Sequence, residues 1–277
     1  MGTGTFQGDG TNGRSITGLG FAPDVLFLKS SKGEAAVFAT SLRPGDAKKL
    51  AYATSMSSGL VASLDADGFT VQGADEVNEN GASITWTAFA AAEGRLHQGS
   101  FWGGIFGGQQ VDVGFRPEYV MVVPAGGFES LQRSSAMPDD FCLPFAKEAA
   151  VSNAIESFTD TGFVTGTDGR VNYILNRYYY VAWAPDPQRT AVGSYEGDGS
   201  DSREIVDAGL RPSWVLTKGA QAEEGVHLSQ GLAGVGTSQH FVTTGNEEKD
   251  ILALLAAGFR IGEDKDVNEA GETYYWT

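Results

Sequence analysis

The sequence predicts an all-β protein built from three tandem β-sandwich, jelly-roll-like domains, and three observations carry that prediction. Gly accounts for 38 of the 277 residues, roughly twice ordinary usage. With 11% aromatics, this is the composition of many short strands joined by tight turns. Short runs of β-branched and aromatic residues recur between Gly and Pro. A set of landmarks also returns with a period of about 94 residues.

The repeat is read from positions in register. Phe21 in Gly20-Phe21-Ala22-Pro23 returns as Phe115 in Gly114-Phe115-Arg116-Pro117, then as Leu210 in Gly209-Leu210-Arg211-Pro212, at steps of 94 and 95. Phe69, Phe163 and Phe259 follow at steps of 94 and 96, as do Asn78, Asn172 and Asn268. Eight residues beyond each Asn stands a large aromatic: Trp86, Tyr180, Trp276. The copies are expected at 1–94, 95–188 and 189–277. A unit of this size can hold its own core, unlike solenoid repeats of 20–50 residues. The joints Glu93-Gly94-Arg95 and Pro185-Asp186-Pro187-Gln188 are too short for flexible linkers, so the domains are expected to pack together.

Within a copy the elements follow in order. The opening Gly4-Thr5-Phe6 recurs as Gly99-Ser100-Phe101 and Gly193-Ser194-Tyr195 and leads to a turn, Gly8-Asp9-Gly10 or Gly197-Asp198-Gly199. After the Pro come buried strands: Val25-Leu26-Phe27-Leu28-Lys29, Tyr119-Val120-Met121-Val122-Val123 and Trp214-Val215-Leu216-Thr217-Lys218. Glu247 to Ala257 would pass alone for a helix, but Ile251 and Leu254 align with Val61 and Leu64, so a strand is expected. Asn78, Asn172 and Asn268 are expected to be turn residues bonding their local backbone. Ile84 to Phe89 alternates as a half-buried strand does, with Trp86, Tyr180 and Trp276 packing in the core. The third copy stops at Trp276-Thr277 where the others continue to Phe89 and Trp183. Its last strand is expected to be truncated, and either frayed or covered by another domain or a partner.

Charge and chemistry narrow the function. A formal charge of −16 argues against nucleic acid, whose phosphates need clustered Lys and Arg. The single Cys, Cys142, excludes an intramolecular disulfide. No run approaches the 18 apolar residues of a membrane span, so no membrane insertion is expected. The N-terminus lacks the features of a secretory signal, and synthesis in the bacterial cytoplasm is expected. His97, His227 and His240 recur in no other copy and fall in no metal pattern. Pairs such as Asp65/Asp67, Asp139/Asp140 and Asp264/Asp266 read as solvated turns rather than facing glycosidase carboxylates. No nucleophile elbow or phosphate loop is present, so no enzyme and no cofactor is expected. Asp9, Asn12, Asp198 and Asp201 are weak calcium candidates, weakened by the middle copy, which holds Gly103-Gly104-Ile105-Phe106 at that loop. Trp102 stands where the outer copies carry Gln7 and Glu196, which makes it the candidate for contact with a sugar ring or a neighbouring domain.

Gly20-Phe21-Ala22-Pro23-Asp24-Val25, Asp67-Gly68-Phe69-Thr70-Val71 and Val77-Asn78-Glu79-Asn80-Gly81 together resemble a β-sandwich repeat of structural proteins in tailed bacteriophages and gene transfer agents. The third copy matches except at Leu210, and the middle copy departs most. The resemblance implies a virion surface protein: a capsid decoration, head spike or tail-fibre component, oligomeric or particle-bound, with other virion proteins as partners. A host-polysaccharide adhesin acting as a carbohydrate-binding module is the alternative, and a glycoside hydrolase a remote one.

Overall fold

The computed structural model describes residues 1–232, 234 and 236–277. The first copy holds β1 (Gly2–Gln7), β2 (Arg14–Thr17), β3 (Val25–Ser30), β4 (Val37–Thr40), β5 (Ala47–Lys49), β6 (Val61–Asp65), β7 (Gly68–Val71), the single helical turn α1 (Asp75–Asn78) and β8 (Ser83–Phe89). The second holds β9 (Leu96–Trp102), β10 (Gln109–Asp112), β11 (Tyr119–Pro124), β12 (Leu131–Ser134), β13 (Leu143–Pro144), β14 (Ile155–Thr159), β15 (Gly162–Thr165), α2 (Gly169–Asn172) and β16 (Arg177–Trp183). The third holds β17 (Gly193–Glu196), β18 (Arg203–Ile205), β19 (Trp214–Gly219), β20 (Val226–Ser229), β21 (Gln239–His240), β22 (Ile251–Leu254), β23 (Phe259–Ile261), α3 (Lys265–Asn268) and β24 (Thr273–Trp276).

In each copy a five-stranded antiparallel sheet faces a three-stranded one. The first copy's orders are β1-β8-β3-β4-β5 and β2-β7-β6, and the other two copies repeat them. The first strand pairs with the last and the second with the next-to-last, the wrapped pairing of a jelly-roll-like sandwich. Recurring glycines open each copy because the recurring aromatic lies across them. A Cβ at Gly4 would stand 2.7 Å from the Trp86 ring, and at Gly99 and Gly193 it would overlap Tyr180 and Trp276. Phe69, Phe163 and Phe259 are fully buried in the three sandwich cores. Phe21 and Phe115 pack partly buried at the edges of the first two cores, and Leu210 is likewise partly buried.

A fourth core lies between the copies. Val25, Phe27, Phe38 and Leu50 from the first, Tyr119, Met121, Phe145 and Trp183 from the second, and Leu216 and Phe241 from the third are buried in one cluster. These side chains project from the outer faces of the five-stranded sheets. All six residues of β3 and of β11 are therefore buried. The same layer corrects the reading of Ile84–Phe89 as a half-buried strand, because β8 is covered on both faces. Equivalent backbone bonds link successive copies: Ser130 N donates to Leu50 O at 3.1 Å and Ala36 N to Phe241 O at 3.0 Å. The register makes Ala36 the counterpart of Ser130 and Leu50 that of Phe241, so the copies are arranged about a pseudo-threefold axis.

Each junction between copies buries one lysine. Lys29 reaches from the first copy to Val242 O of the third at 2.7 Å. Its counterpart Lys218 reaches from the third to Glu148 O of the second at 3.0 Å. Between the first and second copies the equivalent position is Val123, and Lys48 crosses from the other side to Gly126 O at 3.0 Å and Phe128 O at 2.6 Å. An ammonium placed among backbone carbonyls makes charge-assisted hydrogen bonds that offset part of its desolvation.

The segment before Ala257 forms a strand, β22, as its alignment with β6 and β14 requires. β24 spans four residues where β8 and β16 span seven. Thr277 nonetheless exchanges both backbone hydrogen bonds with Leu216, at 2.9 and 3.0 Å. Beside it a cavity of about 450 Å³ opens between the three copies, with Phe89, Trp183, Trp214 and Trp276 in its wall.

Candidate functional site

Of the three asparagines only Asn172 bonds its local backbone, donating to Gly166 O at 2.7 Å; the main partners of all three lie elsewhere. Each is buried at the end of its helical turn and reaches across to the loop after the first strand, 66 to 70 residues away. Asn78 Oδ1 accepts from Asp9 N at 3.1 Å while its amide donates to Thr11 O at 2.9 Å. Asn268 does the same with Asp198 N and Ser200 O, at 3.0 and 2.7 Å. In the middle copy Asn172 accepts from Gly104 N at 2.6 Å and donates to Phe106 O at 2.7 Å. A buried amide with every group satisfied fixes the loop it holds. One end of each sandwich thus carries a pinned loop beside the turn that follows the helix.

In the outer copies that end is polar. Thr11 donates to the Asp9 carboxylate through its amide and hydroxyl, at 2.9 and 2.7 Å, and Arg14 stands 3.1 Å from it. The Thr11 and Asn78 hydrogen bonds hold this carboxyl down to about 2. Asp198 is lowered in the same way by Ser200, with Arg203 at 3.3 Å. Asn12 Oδ1 accepts from Gly73 N at 2.9 Å, and Asp201 is exposed. The Asp9 and Asp198 carboxylates thus serve donors of their own turns, and Asn12 a donor of the facing segment, whereas Asp201 is exposed.

In the middle copy the same end is apolar. Its loop exposes Trp102, Ile105 and Phe106, and the adjoining turn exposes Tyr173, Ile174 and Leu175; Phe106 is 77% and Leu175 82% exposed. The two segments are tied by a hydrogen bond from Gly103 N to Asn176 O at 2.9 Å. Arg177 places its guanidinium 5.6 Å from the centres of both the Trp102 and Tyr179 rings, a cation–π arrangement. Leu175 stands three residues after Asn172, where the outer copies have Gly81 and Gly271. Those glycines have φ of +74° and +82°, and Leu175 has φ of +62°. Its side chain is therefore held in the left-handed region that disfavours any residue with a Cβ, by about 1–2 kcal/mol. Strain of this kind at an exposed tip points to use of the side chain rather than to folding.

Of the sequence candidates, Trp102 falls in this tip, whereas Asp9, Asn12, Asp198 and Asp201 lie on the matching loops of the outer copies. Ile105, Phe106, Ile174 and Leu175 carry no motif of their own in the sequence. The available signal was the absence, in the middle copy, of both the Gly-Asp-Gly loop and the Gly after Asn172. Asp264 and Asp266 do not form a solvated turn. Asp266 is 6% exposed and packs beside His240, while His227 lies on the opposite face of the same sheet.

A family model described as a domain of unknown function (DUF7483) matches residues 1–94 and 145–277. No curated protein and no solved structure matches the chain. The stretch left unmatched, 95–144, includes Trp102, Ile105 and Phe106.

Proposed function

The chain belongs to the DUF7483 family, and on that premise we propose that it is a non-enzymatic structural protein of a virion surface. It attaches to a neighbouring capsid or tail protein through the apolar tip of its middle copy. The observation that carries the reading is Leu175, a strained and exposed apolar side chain where both outer copies place glycine. The pseudo-threefold body supplies a rigid support for a tip on one copy only. The resemblance of its repeat to phage and gene-transfer-agent proteins supports the setting. An exposed apolar cluster on a protein of net charge −16 is the chemistry of a docking surface.

Mass spectrometry of dissociated particles, purified from the strain that carries the gene, tests this reading. The chain is expected in stoichiometric amount with the other virion proteins, and its absence would sink the proposal. A second reading rests on Trp102, which is 58% exposed and offers a ring edge and one face to a host-surface sugar. A glycan array probed with the wild-type chain and Trp102→Ala decides it, and equal signals from the two would exclude that role.

A further inference from the structure

The end of each helical turn packs against the sheet at a place where carboxylates meet a cation. In the first copy the pair is Lys49 and Glu76. In the second, Arg170 lies 3.1 Å from Asp168, 3.5 Å from Glu129 and 2.7 Å from Glu148. Strand register and the asparagine landmark carry these positions into the third copy. His240 takes the place of Lys49, because each pairs with the first residue of the preceding strand. Glu224 takes the place of Glu129, Asp264 that of Asp168, and Asp266 that of Arg170. The third copy thus keeps two of the three carboxylates, has Thr244 in place of Glu148, and replaces the arginine with a further carboxylate.

His240 faces this group from a site that is 98% enclosed, its residue being 2% exposed. Its Nε2 donates to Asp250 Oδ2 at 2.9 Å, and Asp250 is itself 1% exposed. With Nε2 committed to Asp250, Nδ1 is the ring nitrogen that faces the acidic group. Nδ1 lies 2.9 Å from Glu224 Oε2 and 3.9 Å from Asp266 Oδ2, yet makes no hydrogen bond. Asp250 Oδ1 also has no partner. The remaining cations use other oxygens: Lys147 bonds Glu224 Oε1 and Lys265 bonds Asp266 Oδ1, at 3.0 and 2.9 Å. Thr244 Oγ1 donates to Glu224 Oε2 at 2.7 Å, which leaves that oxygen a second lone pair. One ligand atom from each of the three residues lies within 4.8 Å of the others, and the 2.9 and 3.9 Å separations from Nδ1 bracket the ~3.3 Å between ligands on one tetrahedral zinc ion.

We propose that the third copy binds one divalent transition-metal ion through His240 Nδ1, Glu224 and Asp266. Asp250 acts from behind as the carboxylate that orients the imidazole. The ion stands where Arg170 stands in the second copy and joins β21 and α3 to the segment that leads into β20. An imidazole with two carboxylates suits Zn²⁺ or Mn²⁺ and leaves further positions for water.

The test is titration calorimetry of the untagged full chain, stripped with chelator, against ZnCl2 and MnCl2. One ion per chain is expected for at least one of the two metals, with a rise in melting temperature on loading. His240→Gln and Asp266→Asn are expected to lose at least tenfold in affinity, and Asp250→Asn roughly 10–100-fold. Asp266→Arg restores the cation of the second copy, so it is expected to fold, to melt no lower than the stripped wild type and to bind no metal. Absence of one-to-one binding by the wild type would overturn the proposal. Binding retained in His240→Gln or Asp266→Arg would do the same.

Discussion

His227 shows how a single side chain couples the shared core to pH. It sits on β20 facing the centre of the molecule, with Trp214 Nε1 at 3.4 Å from its Nδ1 and the Phe241 ring at 4.8 Å. Burial, then the charges of Lys29 and His240, push its pKa down to about 3. An unfolded histidine titrates near 6.5, so between these values the unfolded chain binds a proton that the folded chain does not. The stability due to neutral His227 is complete above about pH 6.5 and is lost as pH falls toward 3, at up to about 1.4 kcal/mol per unit. Urea midpoints measured from pH 6.5 to 5 are expected to fall more steeply for the wild type than for His227→Phe. Parallel slopes in the two proteins would refute the assignment. At this scale the sequence was legible in part. Asn78, Asn172 and Asn268 stood out by register, but period alone does not say that a side chain bonds a loop about 68 residues back. Leu175 was visible only as a missing glycine, because φ at a turn has no signature in residue type when the residue is strained.

At the scale of elements, the strands were legible and their surroundings were not. The run Val25–Lys29 reads as a buried strand from its apolar residues, and β3 is one. Nothing in that run says that Lys29 itself is 1% exposed, since the carbonyls receiving it belong to other segments. The single-turn helices α1, α2 and α3 escaped for a related reason. Four residues are too few for a helical period to register. The three lysines act as pins between copies, and Lys48 is the clearest case because two of its three carbonyls lie across the junction. Burial pushes its pKa down to about 8, which leaves it an ammonium at neutral pH. Lys48→Met removes the donor and strands those carbonyls, and it is expected to destabilise the chain by about 3 kcal/mol. Lys32→Met, at a side chain 47% exposed, is expected to change stability by less than about 0.5 kcal/mol. Similar urea midpoints for the two variants would show that the buried lysine does not hold the junction.

For the whole molecule, the repeat and its period were legible because they are written in Gly, Pro and aromatic landmarks. The pseudo-threefold arrangement was not, because it depends on which faces of three sheets meet. That arrangement gives the chain three equivalent sandwich ends, and divergence then acts on each separately. The first and third ends are polar turns closed by Arg14 and Arg203, whereas the second presents Trp102, Ile105, Phe106, Ile174 and Leu175. The third copy diverges elsewhere, at the acidic group around His240. A body of equivalent units bearing one apolar end is suited to fixed, oriented attachment, and this is the central claim of the proposed function.

The most direct measurement is the amount of Phe106→Asp/Leu175→Gly chain retained on purified particles, set against wild type and alongside the melting temperature of each free protein. Both side chains are exposed, and glycine relieves the left-handed turn at position 175, so the variant is predicted to melt no lower than wild type. Attachment through the tip predicts at least a tenfold loss of particle-bound chain. Retention equal to wild type, with the fold intact, would contradict it.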